Sequence, residues 1–325
     1  MDICVIGLGS MGKRRIRLLK NIDKVNNIYG VDSQKERRQH THDELNINCY
    51  NSLFEVLQKK HVDGVVISTP PLTHSKIIKE ALENNLHVFT EINLINDNYE
   101  NIINLSQKKN KILFLSSTFL YRNEIKYIKE VISHEIVNYK YHVGQYLPDW
   151  HPWESYKDFF VGDKRTNGCR ELFAIELPWI VNVFGEIKDF YFFKRKSTNL
   201  EIDYDDTYVG IIKHENGTIG TINVDIVSRI AKRELCVYGE NIHLAWNGTP
   251  DSLYQLDFKS MEMVNILTYN NINQDKRYAK NIIENAYQEE LENYINCILN
   301  MEIPKYTFSK DKDIIDIINK IEKDD

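Results

Sequence analysis

The stretch Asp2-Ile3-Cys4-Val5-Ile6-Gly7-Leu8-Gly9-Ser10-Met11-Gly12 decides the fold. Its first five residues read as a buried strand, the glycines as a turn, and the residues that follow as a helix. In that order each glycine has a separate physical task. Gly7 permits a tight turn, Gly9 lets the backbone approach a pyrophosphate, and Gly12 allows close helix–strand packing, while the helix start at Ser10 and Met11 faces the phosphates. A second strand, Asn27–Val31, ends in Asp32, where a carboxylate would meet the ribose hydroxyls of an adenosine. A bare glycine turn in a doubly wound sheet is the bland alternative, and the strand, helix and acidic residue in register favour a dinucleotide site.

At 325 residues the chain exceeds what one hydrophobic core usually serves, so two domains are expected. We place them at residues 1–119, a nucleotide-binding domain, and 120–325, a substrate-binding and oligomerisation domain. The 42% hydrophobic and 27% charged residues are ordinary for a globular protein. Lys and Arg total 41 against 47 for Asp and Glu, and a net charge of -6 supplies no broad basic surface, which disfavours a nucleic-acid partner. No apolar run reaches membrane-spanning length and the N-terminus lacks the pattern of a signal peptide, so the cytoplasm is the expected location. Cys4, Cys49, Cys169, Cys236 and Cys297 are scattered without a CxxC, and neither a disulfide framework nor a metal site is expected.

After Asp32 comes a polar segment with Arg37 and Arg38, which could approach a 2′-phosphate. Asp32 would repel one, so NAD is expected in preference to NADP. Strand Gly64–Ser68 runs into Thr69-Pro70-Pro71 and His74, and its continuous apolar run marks a central parallel strand whose end lies beside the cofactor crevice. Strand His87–Thr90 leads to Glu91, and Ile112–Ser116 completes the first sheet. Beyond Phe119 the period changes. Segments 137–146, 187–194, 207–213, 218–225, 234–238, 242–246 and 252–258 alternate between turns and predict a large, mostly antiparallel open sheet. An insertion, 148–185, interrupts it and ends in an apolar helix, and two helices near 279–300 and 310–323 close the chain. The fold class is thus α/β plus α+β.

This layout resembles the glucose-fructose oxidoreductase/inositol dehydrogenase (Gfo/Idh/MocA) family over nearly the whole chain. The resemblance is carried by Gly7, Gly9, Gly12, Asp32, the Ser68-Thr69-Pro70-Pro71 turn with His74, and Glu91. It implies a Rossmann domain followed by an open antiparallel sheet, with hydride moving between a sugar or polyol carbon and nicotinamide. It also implies a lysine in a Glu-Lys-Pro motif and a histidine on the insertion helix as the proton-handling pair. Here Ile92 and Asn93 follow Glu91, and counting back from Gly185 puts Ile175 at the histidine position and Glu171 at an earlier acidic one. A slip of one residue would substitute Glu176. Isoleucine can neither carry a proton nor hydrogen-bond a substrate oxygen, so the acid/base group must lie elsewhere.

Two segments could supply it. The run Gly144 to Glu154 holds Tyr146, Trp150, His151 and Trp153, a composition suited to a sugar pocket: aromatic faces for C–H patches and polar groups for hydroxyls. A proline-rich surface loop is the structural alternative. His151 and Tyr146 are candidate catalytic groups from this run, and Trp150 and Trp153 candidate substrate contacts. In the helix, Arg170 could clamp a carboxylate or phosphate and Glu171 could contact substrate. Glu176, among apolar neighbours, could act as a base, and a structural Arg–Glu pair is the competing reading. Glu91 is carried as both a cofactor and a catalytic candidate, and Tyr121 as a residue lining the substrate side. Arg229 and Arg233 are candidates to meet a phosphate at the sheet edge, with solvated charge the plainer explanation.

The expected function is an NAD(P)-dependent oxidoreductase of a sugar or sugar derivative, within surface-glycan or amino-sugar biosynthesis, with an atypical acid/base group. The competing readings are an epimerase, lyase or glycosidase that uses bound NAD transiently, and a non-catalytic dinucleotide- or sugar-binding protein. The apolar strands Phe190-Tyr191-Phe192-Phe193 and Gly220–Val224 offer faces for a homodimer or homotetramer.

Overall fold

The computed structural model describes residues 1–151, 154–275 and 281–323. It divides into two compact units, Met1–Thr118 with Tyr287–Ile315, and Phe119–Ala286 with Asp316–Asp325. A single cut after residue 119 does not capture the return of Tyr287–Ile315 to the first unit. That return is held by side chains a linear reading leaves unassigned: Glu290 pairs with Arg15, and the Tyr294 hydroxyl donates to the Val65 carbonyl at 3.2 Å.

The first unit contains β1 (Asp2–Ile6), α1 (Ser10–Leu19), β2 (Asn27–Val31), α2 (Lys35–Leu45), β3 (Asn48–Tyr50), α3 (Leu53–Lys59), β4 (Gly64–Ile67), α4 (His74–Glu83), β5 (His87–Thr90), α5 (Tyr99–Lys109) and β6 (Leu113–Leu115). Its strands are all parallel in the order β3-β2-β1-β4-β5-β6. β4 is buried along its whole length and β1 over four of its five residues, which is why both read as apolar runs without alternation. The order reverses between β1 and β4, and in doubly wound sheets the crevice outside the strand ends at that switch point receives the ligand. The three-residue β3 carries no legible period, and neither it nor α5 was expected.

The second unit contains α6 (Asn123–Val131), β7 (Asn138–Gly144), α7 (Gly168–Phe184), β8 (Ile187–Arg195), β9 (Thr207–His214), β10 (Ile219–Asp225), β11 (Lys232–Tyr238), β12 (His243–Trp246), β13 (Tyr254–Asp257) and β14 (Glu262–Asn265). The strands form one sheet ordered β14-β13-β12-β11-β7-β10-β9-β8, antiparallel except where β7 lies beside β10. The last two helices are α8 (Glu284–Ile298) and α9 (Phe308–Glu322). α7 begins where the Asn167 side chain accepts from the Arg170 N–H, and it ends at Gly185, whose φ of +98° suits glycine.

Alternation sorts each strand of this sheet onto two faces. Tyr139 stacks on Phe184 of α7 at 4.1 Å, Tyr141 meets Trp179 edge-on at 5.2 Å, and Phe173 packs against Phe192 and Tyr208. Position 220 has to be glycine, since a Cβ there would lie 1.9 Å from the Tyr139 ring. The opposite face leaves Tyr191, Phe193, Val209 and Ile211 exposed. The strands offered from sequence as interaction faces are therefore corrected to alternate residues. Gly220, Ile222 and Val224 are buried and Phe192 packs on α7, leaving Tyr191, Phe193 and Thr221 on the open side.

Candidate functional site

In the first unit the cofactor candidates converge at the ends of β1, β2 and β4. Gly7 adopts φ +93°, and a Cβ there would fall 2.6 Å from the Ser68 carbonyl oxygen; a Cβ on Gly12 would lie 1.8 Å from the Gly7 oxygen. Both close approaches require glycine. At Gly9 nothing lies within 4 Å of the missing Cβ, so that glycine leaves open space rather than filling it. α1 starts without a side-chain cap and without an acidic residue in its first turn, so the positive end of the helix dipole at Ser10 and Met11 suits an anion. This open cradle fits the pyrophosphate of a dinucleotide.

Asp32 is buried at the end of β2 and accepts from the Leu8 N–H and the Gln34 N–H, each at 2.9 Å. It thereby ties the glycine turn to the start of α2. Arg38 donates to the Asp32 and Ser33 carbonyls and so clips this bend, while the Arg37 guanidinium stands 3.9 Å from Asp32 and half exposed. The ring nitrogens of His74 lie 2.7 Å from the Thr69 carbonyl and 2.7 Å from the Asn93 side chain. Burial holds His74 below the ordinary histidine range, hence neutral. It fixes the Ser68-Thr69-Pro70 turn from behind, and Asn93, standing where the family resemblance implies proline, is its partner.

Glu91 faces inward rather than toward a free surface. It accepts from Arg15 Nε at 2.7 Å and from Arg15 Nη2 at 2.9 Å, a two-pronged pair on a fully buried arginine. Arg15 also donates to Glu290 at 2.8 Å and lies over the Phe89 ring at 4.6 Å. Burial raises the Glu290 carboxyl above its usual range, against the pull of Arg15. Glu290 also accepts from the Ser117 N–H at 2.7 Å and from the Thr118 hydroxyl at 3.0 Å. The geometry corrects the catalytic reading of Glu91: both oxygens are committed to an ion pair that anchors α1. Sequence reasoning passed over Arg15, although a glycine at 12, an isoleucine at 16 and a leucine at 19 share its helix face.

In the second unit, Glu176 is fully buried and saturated. It accepts from the Tyr141 hydroxyl at 2.5 Å, from Trp179 Nε1 at 2.6 Å and from Arg233 at 2.5 and 3.1 Å. That corrects the expectation of a free base: this is a structural ion pair, and it also absorbs Arg233. Arg170 is likewise engaged, with Glu322 and, at 2.6 Å, with Asn319, so it ties α7 to the end of α9 rather than standing as an open clamp. Tyr121 is wholly buried and lines no open surface. His151 pairs with Glu154 at 2.6 Å and packs on Phe159 at 4.3 Å, which gives it a structural partner. Trp150 Nε1 donates to the Gln145 carbonyl at 2.9 Å, and Tyr146 lies beneath the Arg229 guanidinium at 3.6 Å. Trp153 lies outside the described residues.

Glu171 differs from these carboxylates. Residues 168–180 of α7 are buried except Glu171 and Ile175, which are half-buried and share a helix face with Gly168. The Glu171 Oε2 is sealed from solvent and has no hydrogen-bond partner, and burial pushes its carboxyl up to about 8. Such a group can hold or release a proton near neutral pH. Sequence reasoning placed Glu171 as a substrate contact and missed this property, which depends on what packs around the oxygen. Among the described residues no group of three or more His, Cys, Asp or Glu is placed to hold a metal, and no helix is long and apolar enough to cross a membrane.

Residues 1–116 match the model of the Gfo/Idh/MocA oxidoreductase family, NAD-binding Rossmann fold. Over these residues the chain is similar to that family. The family model describes an NAD-binding Rossmann fold, and the parallel sheet of the first unit, the open Gly9 cradle and Asp32 are in keeping with it. Myo-inositol 2-dehydrogenase of Thermotoga maritima is 27% identical over 136 residues, 41% of this chain. The match spans 40% of that relative's length. Solved structures extend the likeness of fold over the remainder. UDP-N-acetylglucosamine 3-dehydrogenase from Acidithiobacillus ferrooxidans superposes with a TM-score of 0.77 at 15% identity, covering 99% of this chain and 96% of that one. Levoglucosan dehydrogenase in complex with NADH and levoglucosan gives 0.80 at 14% identity, covering 99% and 96%. The likeness of fold thus covers both the parallel sheet and the large antiparallel sheet.

Proposed function

We propose that this chain is an NAD-dependent oxidoreductase of a hydroxyl group on a sugar or sugar derivative, with Glu171 as the proton-handling residue. The observation that carries the reading is the Glu171 carboxyl, unpartnered at Oε2 and raised to about 8, in a chain whose first unit is an NAD-binding fold. Bound NAD supplies a hydride acceptor at its nicotinamide ring. Gly7, Gly9 and Gly12 and the start of α1 would hold its pyrophosphate, and Asp32 would hold its adenosine ribose. In oxidation, ionised Glu171 takes the hydroxyl proton as the carbon gives up its hydride; in reduction, the protonated carboxyl returns it. Oxidation is therefore favoured above about pH 8 and reduction below it.

The similarity of neighbouring folds to sugar dehydrogenases supports a polyol substrate, and the aromatic groups Tyr146 and Trp150 suit its C–H faces. Residues 1–119 would serve the cofactor and 120–325 the substrate. The sheet face carrying Tyr191, Phe193, Val209 and Ile211 would be covered by a second copy, in a homodimer or homotetramer working in the cytoplasm. A place in surface-glycan or amino-sugar biosynthesis is the narrower form of the proposal. Ile92 and Ile175 favour one competing reading, a dinucleotide- and sugar-binding protein without turnover. NADH formation with a panel of polyols and sugars separates the two: fluorescence-detected cofactor binding without any NADH formation would leave the binding protein.

A further inference from the structure

The loop that follows β10 is built more rigidly than its exposure suggests. Gln145, Tyr146 and Leu147 donate their N–H groups to the Asp225, Ser228 and Ile226 carbonyls at 3.3, 2.7 and 3.0 Å, so that this loop and the one after β7 are zipped together. Asp225 pins the turn from inside. It accepts from the Val227 N–H at 3.0 Å, from the Ser228 N–H at 2.8 Å and hydroxyl at 3.0 Å, and from His142 at 2.7 Å. Burial opposes the charge on Asp225, but these donors outweigh it and hold the carboxyl below the usual range. Its charge is thus internally spent. A Cβ on Gly144 would lie 2.5 Å from that carboxylate, so the glycine is required by the pin.

Arg229 stands at the end of this frame. Its guanidinium carbon lies over the Tyr146 ring, 3.6 Å from the centroid, and the side chain is mostly exposed. The ring attracts the cation and restrains it, while the exposure of the side chain leaves the guanidinium accessible to a ligand. Asp149 is 4.0 Å away and itself half exposed, a separation at which a surface pair contributes little. The same zipped loops press on the first turn of α7: Ile226, Leu147 and Trp150 lie 3.1, 3.3 and 3.6 Å from where a Gly168 Cβ would be. Glu171 is one turn further along that helix on the same face. An exposed cation over an aromatic ring and the Glu171 carboxyl thus belong to one assembly of the second unit.

We propose that Arg229 is a specificity-determining residue that receives an anionic substituent, a carboxylate or a phosphate, so that the substrate is an acidic sugar derivative rather than a neutral one. This rests on the sugar-oxidoreductase reading for its context, but its test is a binding measurement. The NAD-loaded full chain is titrated calorimetrically with glucuronate, glucose 6-phosphate and glucose. One of the two anions should bind at least about tenfold more tightly than glucose, the effect expected of a charge-assisted hydrogen bond, and which of them does so distinguishes carboxylate from phosphate. Arg229→Gln should bring that anion to the level of glucose, and Arg229→Lys should keep part of the preference. Equal binding of all three probes, no binding of either anion, or an undiminished preference in Arg229→Gln with an unchanged Tm would overturn the inference. Anion preference intact but no NADH formed from any acidic sugar would uphold it and count against the redox reading instead.

Discussion

Replacing Glu171 with Gln tests the property on which the proposed chemistry depends, without needing a substrate. The side chain keeps its shape and loses its ability to ionise. In the folded protein burial raises the Glu171 carboxyl from 4.5 to about 8. At about 1.4 kcal/mol per tenfold change, that corresponds to a little under 5 kcal/mol against the charged form. The half-open flank of the residue admits water and lowers the figure, so about 2–4 kcal/mol is the expected effect. The sign follows from proton linkage. The folded state holds the proton more tightly than the unfolded state, so its contribution to stability is complete below pH 4.5, falls as pH rises, and is gone above about pH 8. Urea unfolding of wild type and Glu171→Gln across this range should give curves that coincide at the acid end. They should separate progressively, with the variant more stable by about 2–4 kcal/mol in mild alkali. Parallel stability profiles at all pH values would refute the buried, proton-holding carboxyl.

Other perturbations probe the surrounding framework. Gly12→Ala puts a Cβ 1.8 Å from the Gly7 oxygen, and a loss of about 3 kcal/mol or more together with NADH fluorescence binding is expected. Asp32→Ser should weaken NAD by about 1–2 kcal/mol and relax selection against NADP, read by fluorescence titration of both cofactors. Arg233→Met strands the fully buried Glu176 carboxylate, and thermal unfolding should report a loss of about 3–5 kcal/mol; adding Glu176→Leu should recover part of it, because the uncompensated charge is then removed.

The first unit was legible in the sequence because its determinants are local. A five-residue apolar strand, three glycines in register and an acidic residue at the next strand end specify β1, α1 and β2 within thirty-two residues. The alternation of β9, which places Tyr208, Ile212 and His214 inside, likewise showed a half-covered sheet. The candidate site was less legible because its carboxylates look alike in sequence. Glu91, Glu171 and Glu176 differ only in what reaches them: Arg15 from α1, nothing at one oxygen, and Arg233 from β11. Those partners are 57 to 76 positions away in the two ion pairs, beyond any periodicity. Arg170 was misassigned for the same reason, since its partner Glu322 is 152 positions distant.

The most direct test of the central claim is the rate of NADH formation from NAD with a panel of neutral and acidic sugars, followed as a function of pH in wild type and in Glu171→Gln. The account predicts a substrate whose oxidation rises through an apparent pKa near 8 in the wild type. In Glu171→Gln the rate should fall by about 100-fold or more with cofactor binding retained. A variant that keeps the wild-type rate and pH profile would contradict it, as would a protein that binds NADH but oxidises none of these compounds.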